Sequence, residues 1–280
     1  MQRTRCRVAM SLATAVAVLA IDAARGSSQG VAPGAPPANG VTYVGNSGFL
    51  LQAGGKAILI DALFDGFPGA YTLPASVREP LLAGHPPFDG IDLILATHHH
   101  ADHFSAAAVR RALESNPRAV FVGPASAVAA LTGLGDRARA LDVDVGQRGT
   151  LEVNGIRIDA MRLSHGTPPP GRPDIVNLAY LVTAGGVKFF HTGDIDVSVI
   201  PTSYLQGLGV PDDHVDVAFV PHFLLGVSGP LPFVTEGIRP RFVVASHLQY
   251  TDAPLNEGQI RRNFSNAVLL RTEGERWVIP

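Results

Sequence analysis

Short apolar strands that end close to a histidine or an aspartate recur along this chain. An apolar run over 92–96 precedes a histidine-rich segment, and three later apolar runs end in a similar way. These are 156–163 before His165, 187–190 before Asp194, and 242–245 before His247. Ligand sites of α/β folds gather beyond the carboxyl ends of strands. The recurrence therefore predicts an α/β domain in which one site draws its side chains from separate segments.

The rest of the pattern is that of an α/β domain in which strands dominate. The pair Gly54-Gly55 between the apolar runs 49–51 and 57–60 predicts a hairpin. Further strands are predicted over 119–122, 178–183 and 215–220. Helices are predicted over 106–114, which Ser105 can cap and Asn116-Pro117 would end, over 126–131 and over 257–262.

The segment 98–103 reads His-His-His-Ala-Asp-His and is a dense cluster of potential metal ligands. Because side chains at i and i+2 of an extended chain point the same way, His98 and His100 can share one metal ion. Asp102 and His103 follow where the chain turns toward the next helix, and they can reach a neighbouring ion. Imidazole and carboxylate groups suit a divalent cation such as zinc. A solvated histidine-rich loop without metal is the alternative for this segment alone.

The motif H-x-H-x-D-H at 98–103, followed by His165, Asp194 and His247, resembles the metallo-β-lactamase-fold hydrolase superfamily. The resemblance covers the chain from Val41 to the C-terminus, and it implies a four-layer αββα sandwich with the metals along one edge. It also implies two divalent metal ions, with zinc favoured and manganese or iron as alternatives. The implied ligands are His98, His100 and His165 for one ion, Asp102, His103 and His247 for the other, and Asp194 as the bridge. Asp61, after the run 57–60, matches an acidic residue that supports the site in this family.

The chemistry implied by the resemblance is hydrolysis. Two closely spaced cations lower the pKa of a bridging water and polarise the bond to be broken. We therefore expect a hydrolase that uses a metal-bridging hydroxide to cleave an ester, a lactone or a phosphodiester. The residues predicted to act in catalysis are Asp102, Asp194 and His222. His222 follows the run 215–220 and is predicted to be a proton donor or a substrate contact, with a structural role as the alternative.

Details of the motif narrow the reaction class. The form H-H-H-A-D-H-F, with H-T-G-D at 191–194, is most similar to the branch of ascorbate-phosphate-lactonase-like proteins and N-acyl-phospholipid phosphodiesterases. β-Lactamases with this motif usually lack the bridging aspartate, so Asp194 counts against a β-lactam hydrolase. A β-lactam hydrolase and a non-catalytic metal-binding protein stay open as alternatives.

The net charge disfavours nucleic acid as a partner, and the cysteine content rules out some structural features. The chain has 22 basic and 24 acidic residues and a net charge of −2, which gives no electrostatic footprint for nucleic acid. A small-molecule substrate is therefore predicted. The one cysteine, Cys6, rules out an internal disulfide and a cysteine-based zinc cluster.

The N-terminus has the pattern of an export signal. Arg3, Arg5 and Arg7 precede an apolar run over 8–21, which is shorter than the roughly 20 residues needed to span a bilayer. We predict a signal peptide over 1–26, a flexible linker over 27–40, and a metallo-β-lactamase-like hydrolase domain over 41–280. The mature protein would then be periplasmic or secreted, without stable membrane insertion. A membrane anchor or a buried helix is the alternative for the apolar run.

Four other histidines are predicted to support the structure or to face solvent. His99 lies between two implied ligands and should point away from the metals. His191 is expected to pack in the sheet or to support the site. His85 and His214 lie in polar loops and are predicted to be surface residues.

Substrate choice is expected in two loops near the implied metals. The loop 166–174 directly follows His165 and contains three consecutive prolines and Arg172, which could pair with an anionic group. The loop 224–235 mixes glycine and proline with apolar residues and could form a rim. An inert surface connection is the alternative for both loops.

Overall fold

The fold is described from a computed structural model for residues 38–66, 71–166, 174–227, 229, 231–249 and 254–280. The predicted signal peptide 1–26 and most of the predicted linker 27–40 lie outside these residues, as do Arg172 and most of the loop 166–174. No helix within the described ranges is long and apolar enough to cross a membrane.

The first of two seven-stranded sheets is formed mainly by the N-terminal half of the domain. Its strands are β1 (Gly40–Gly45), β2 (Gly48–Ala53), β3 (Lys56–Ile60), β4 (Leu93–Leu95), β5 (Val120–Gly123), β6 (Ala138–Ala140) and the C-terminal β14 (Arg276–Val278). Their order is β14-β1-β2-β3-β4-β5-β6. The strands are antiparallel from β14 to β3 and parallel from β3 to β6. The predicted hairpin at Gly54-Gly55 joins β2 to β3 and is confirmed.

The second sheet repeats this arrangement. Its strands are β7 (Arg148–Val153), β8 (Ile156–Ser164), β9 (Val176–Ala184), β10 (Val187–His191), β11 (Val217–Pro221), β12 (Phe242–Ser246) and β13 (Ala267–Val268). Their order is β13-β12-β11-β10-β9-β8-β7. The strands are antiparallel from β7 to β10 and parallel from β10 to β13.

Helices cover the outer faces of both sheets. They are α1 (Ala75–Ala83), α2 (Ala106–Ser115), α3 (Ala125–Ala129), α4 (Thr202–Gly207), α5 (His222–Leu225) and α6 (Glu257–Asn263), with a π-helix at Phe233–Ile238 and 3₁₀ turns at Gly135–Arg137 and Val210–Asp213. One apolar core lies between the sheets, a second joins α1 and α2 to the first sheet, and a third joins α4, α5 and α6 to the second. The αββα sandwich implied by the resemblance is therefore confirmed.

The helix predictions were confirmed where a cap or a breaker marks the ends. α2 extends one residue beyond the predicted 106–114, and the Ser105 hydroxyl accepts a hydrogen bond from the Ala108 N–H at 3.3 Å. The predictions over 126–131 and 257–262 correspond to α3 and α6. Helix α1 was missed because Pro80 lies inside it, and an internal proline normally ends a helix.

The two sheets touch through hairpin turns at one end of the sandwich. Gly54, between β2 and β3, and Gly185, between β9 and β10, have φ angles of 58° and 53°. A β-carbon added to Gly54 would lie 2.3 Å from the Cα of Gly185. Only glycine tolerates both this left-handed conformation and such a close approach, so the two turns pack backbone against backbone. The opposite ends of β3 and β10 lead to Asp61 and Asp194.

Candidate metal centre

The seven residues implied as metal ligands meet beyond strand ends of both sheets. One group contains His98, His100 and His165, and the other contains Asp102, His103, Asp194 and His247. Within each group, one potential ligand atom of every residue lies within 4.8 Å of the others. This division is the one that the resemblance implies, with Asp194 placed in the second group.

Asp194 connects the two groups. Its Oδ2 lies 3.0 Å from Nε2 of His247, 3.4 Å from Nε2 of His103 and 3.7 Å from Nε2 of His165. Asp102 belongs to the second group only, and its Oδ2 lies 3.3 Å from Nε2 of His103 and 3.4 Å from Nε2 of His247. Asp194 therefore presents one carboxylate oxygen to histidines of both groups.

The first group is the more open side of the site. Nε2 of His98 lies 3.2 Å from Nδ1 of His100, and the His165 ring lies 4.8 Å from both other rings, centre to centre. His98 is buried, whereas His100 and His165 are partly exposed. Burial lowers the pKa of all three histidines. Their rings are therefore neutral near pH 7 and have a nitrogen lone pair available for a metal ion.

Asp61 supports histidines of both groups. It is fully buried directly after β3, and its Oδ2 accepts hydrogen bonds from Nδ1 of His103 at 2.8 Å and from Oγ1 of Thr97 at 2.7 Å. The Thr97 N–H donates to Oδ1 of Asp61 at 2.8 Å. Because Thr97 Oγ1 gives its proton to Asp61, it can accept one from Nδ1 of His98, which lies 3.0 Å away. Both histidines then carry their proton on Nδ1 and present Nε2 as a ligand.

Asn46, in the turn between β1 and β2, supports two further implied ligands. Its side chain is buried, and Nδ2 donates to the backbone oxygen of Asp102 at 3.2 Å and to Oδ2 of Asp102 at 3.3 Å. The backbone carbonyl of Asn46 accepts a hydrogen bond at 3.4 Å from the N–H of Leu248, the residue directly after His247. Asn46 therefore orients the Asp102 side chain and restrains the backbone next to His247.

We expect Asn46→Ala to weaken metal binding about 10- to 100-fold, the usual effect of losing a group that orients a ligand. The matched control is Asn154→Ala in the turn between β7 and β8. Asn154 has φ 52°, close to the 48° of Asn46, and its Nδ2 donates to the Asp92 and Arg118 carbonyls. Competition with a chromophoric chelator measures affinity, and unfolding of the chelator-treated proteins measures stability. Equal metal affinity in the two variants would show that Asn46 has no role beyond the turn.

His191 supports the backbone beside Asp194. The ring is buried, its Nε2 donates to the Ser47 carbonyl at 3.0 Å, and its Nδ1 accepts from the Gly193 N–H at 3.0 Å. Burial lowers the pKa of His191, which agrees with the neutral tautomer that these two hydrogen bonds require. Of the two roles predicted for His191, the contacts favour support of the site.

The electrostatics of the second group favour a cation. Burial alone would raise the pKa of Asp194, but His103 and His247 outweigh it and hold this pKa well below its usual range. Burial alone would lower the pKa of His247, but Asp194 and Asp102 raise it to about 9. Asp194 and Asp61 likewise raise the pKa of His103 well above its usual value despite its burial. The carboxylates therefore hold protons on the facing imidazoles, and a divalent cation would displace those protons on binding.

The donor set fits divalent metal ions. Among the described residues, Nε2 of His165 and Oδ1 of Asp194 are buried without a hydrogen-bond partner, and buried polar atoms normally have one. Ligand atoms bound at about 2.0–2.1 Å to one tetrahedral zinc ion stand roughly 3.3 Å apart. The distances of 3.0–3.4 Å around Oδ2 of Asp102 and Asp194 in the second group are comparable. Imidazole and carboxylate ligands without thiolate suit zinc, manganese or iron.

His222 lies beside the second group. It is the first residue of α5, directly after β11, and β11 pairs with the strand that leads to His247. Only 1% of its surface is exposed, and Nε2 has no hydrogen-bond partner in the described part of the chain. Burial and the nearby His247 lower the pKa of His222 to about 4. A ring that is neutral near pH 7 is better suited to contact a substrate than to deliver a proton.

The remaining predicted positions are less closely tied to the centre. His99 is exposed and faces away toward Ser126, whose Oγ lies 3.2 Å from its Nδ1. His85 and His214 are exposed, as predicted. The prediction of a loop over 224–235 was wrong at both ends, because residues 224–225 lie in helix α5 and residues 233–235 begin a π-helix with Phe233 and Val234 buried.

Comparison with known proteins agrees with this fold. Residues 40–247 match the family model for the beta-lactamase superfamily domain. A UPF0173 metal-dependent hydrolase of Polynucleobacter asymbioticus is 26% identical over 289 residues, which cover 93% of this chain and 93% of that protein.

Two solved structures are similar in fold. Igni18, a metallo hydrolase from Ignicoccus hospitalis, has a TM-score of 0.62 and 18% identity over 86% of this chain and 98% of its own. An isothiocyanate hydrolase from Delia radicum gut bacteria has a TM-score of 0.59 and 18% identity over 85% of this chain and 98% of its own. The chain therefore belongs to the β-lactamase superfamily and is a metal-dependent hydrolase with the metallo-β-lactamase fold.

Proposed function

We propose that this protein is an exported dinuclear-metal hydrolase that cleaves an ester, a lactone or a phosphodiester. The observation that carries the proposal is the position of Asp194, whose Oδ2 lies within 3.7 Å of histidine nitrogens from both groups. A site for a single ion does not require a carboxylate between two sets of histidines. Export is supported by the basic and apolar pattern of residues 1–26.

The residues of the centre have separate tasks in this proposal. His98, His100 and His165 would hold one ion, Asp102, His103 and His247 the other, and Asp194 both. When bound, the two ions would supply an activated water and polarise the scissile bond. Asp61 and Thr97 keep the protons of His98 and His103 on Nδ1, and Asn46 keeps Asp102 oriented. Because these groups are fixed before the reaction, the ligands need little rearrangement during it.

His222 is proposed to contact the substrate. Its neutral ring lies beside His247 and has a buried nitrogen without a partner in the described ranges. A hydrogen bond from this ring could orient a substrate oxygen next to the second group. The identity of the metal ions, whether zinc, manganese or iron, stays a prediction. The assignment to the superfamily branch that the H-H-H-A-D-H-F motif favours also stays a prediction.

Metal analysis combined with a substrate panel tests the proposed function. We expect two metal ions per chain and turnover of at least one p-nitrophenyl ester, lactone or bis(p-nitrophenyl) phosphate. His100→Ala is expected to lower kcat/KM at least ~100-fold, since a catalytic metal ion contributes several kcal/mol to the transition state. His85→Ala, which removes an exposed histidine away from the centre, serves as the control and should have no effect.

Three outcomes would contradict parts of the proposal. Less than one tightly bound ion per chain in protein purified without chelator would overturn the assigned ligands. Faster turnover of a chromogenic cephalosporin than of every ester and phosphodiester would favour a β-lactam hydrolase. Protein recovered from the periplasm with residues 1–26 still attached would contradict the prediction that these residues are a cleaved signal peptide.

A further inference from the structure

A cavity of about 280 Å³ adjoins the chain segments that carry two of the metal-centre residues. Its lining includes Leu163, Ser164, Ile175, Val199, Ile200 and Tyr204. The volume corresponds to roughly nine water molecules at about 30 Å³ each. Nothing in the centre described above uses this space.

The cavity is lined by residues that lie close in the sequence to two of the implied metal ligands. Ser164 is the last residue of β8 and directly precedes His165. Val199 and Ile200 belong to the segment that leaves Asp194, and the Asp196 N–H donates to the Ser164 carbonyl at 3.0 Å. The segments that position His165 and Asp194 therefore also form the walls of the cavity.

The lining is mostly apolar and partly open to solvent. Leu163 and Ile200 are buried, whereas Val199 and Val145 at the rim are 48% and 68% exposed. Within the described ranges, four large apolar side chains are exposed, and two of them are these rim valines. A concave and mostly apolar surface is typical of sites that bind small molecules.

The polar groups of the lining are already paired. Arg162 Nη2 and Asp174 Oδ2 form an ion pair at 2.7 Å. The Tyr204 hydroxyl donates to the Arg162 carbonyl at 2.9 Å and accepts from the Gly146 N–H at 2.8 Å. The described lining therefore holds no uncompensated cation for a phosphate group, and an uncharged apolar group suits it better.

We propose that this cavity binds the apolar acyl chain of the substrate, so that the hydrolase acts on carboxylic esters or lactones with a chain of several carbons. This inference rests on the proposed hydrolase function. In the reaction, the acyl C–O bond breaks, the oxygen of water bonds to the acyl carbon, and the departing alcohol gains a proton. The acyl chain would occupy the cavity, and its carbonyl would lie toward His165 and Asp194, two of the residues that would hold the metal ions.

A series of p-nitrophenyl esters from acetate to octanoate tests the acyl site. For the wild-type protein we expect kcat/KM to rise about fourfold for each methylene that is buried, the factor that corresponds to methylene transfer from water. Val199→Asp should flatten this rise, because it places a charge at the rim of the apolar cavity. Val278→Asp is the matched control, since Val278 is 53% exposed on β14 and should leave the dependence on chain length as in wild type.

The outcomes separate the acyl site from the hydrolase function itself. Turnover of esters without dependence on chain length, or the same dependence in wild type and Val199→Asp, would overturn the acyl site alone. Preference for bis(p-nitrophenyl) phosphate over all the esters would also overturn it while leaving a hydrolase. Absence of turnover of every substrate in a protein that holds two metal ions would contradict the proposed function.

Discussion

Asp194→Asn is expected to lower kcat/KM by at least ~10³-fold and to reduce the metal content below two ions per chain. Asp194 is the one residue of the centre whose carboxylate oxygen faces histidines of both groups, at 3.0–3.7 Å. Asparagine has nearly the same shape but no charge, so two cations would repel each other without compensation. The contribution of bound ions to transition-state stabilisation is several kcal/mol, which sets the size of the loss.

The matched control for this substitution is Asp196→Asn. Asp196 lies two residues further along the same segment, where its Oδ1 accepts hydrogen bonds from the N–H and the hydroxyl of Ser198. Metal content and kcat/KM should stay close to wild type. If Asp194→Asn also retained two ions and normal turnover, Asp194 would not be the bridge.

Asp61→Asn is expected to weaken metal binding about 10- to 100-fold and to lower the free energy of unfolding by about 1–3 kcal/mol. In the wild type, Oδ2 of Asp61 accepts hydrogen bonds from Nδ1 of His103 and Oγ1 of Thr97, and Oδ1 accepts one from the Thr97 N–H. If the amide oxygen of the asparagine keeps the hydrogen bond from the Thr97 N–H, its NH₂ group takes the place of Oδ2. Two donors would then face each other. We expect the His103 proton to move to Nε2, the atom needed for the metal.

Asp92→Asn separates the effect on metal from the effect of losing a buried carboxylate. Asp92 is 5% exposed and accepts a hydrogen bond from the Ala57 N–H at 3.1 Å. It lies before β4, whereas the metal centre follows that strand. Chemical denaturation in the presence of chelator should show a loss of stability in both variants, and metal titration should show a loss of affinity in Asp61→Asn alone. Weaker metal binding in both variants would mean that Asp61 acts only through general stability.

The fold and the meeting of the candidate ligands at one edge could be predicted because each depends on a local pattern. His165, Asp194 and His247 follow apolar runs, and the parallel or neighbouring strands formed by those runs bring their ends to one edge. The cap at Ser105 likewise needs only residues within one turn of helix α2. Such signals are contained in a few consecutive residues.

Two of the groups that orient the ligands, Asn46 and Thr97, could not be predicted in the same way. Asn46 and Asp102 are 56 residues apart, and an asparagine before a serine and a glycine indicates only a turn. Thr97 follows an apolar strand as many threonines do, and its role depends on Asp61 lying on the neighbouring strand. The pairing of Arg162 with Asp174 also depends on how β8 and β9 align. These contacts are consequences of register and packing.

The backbone contact between Gly54 and Gly185 fixes the spacing of the two sheets at the end opposite the metal centre. The contact lies at the beginning of β3 and β10, and the centre lies beyond their ends. The five residues of β3, at about 3.3 Å each, separate this glycine contact from the ligands by roughly 17 Å. A tilt of one degree between the sheets about the contact would therefore move the ligands by about 0.3 Å. That displacement exceeds the tolerance of about 0.2 Å in metal–ligand distances. Metal ions held between His103 of one sheet and Asp194 of the other would therefore add to the hydrogen bond from His191 to the Ser47 carbonyl in fixing the sheets at this end, and sheet alignment and metal affinity would vary together.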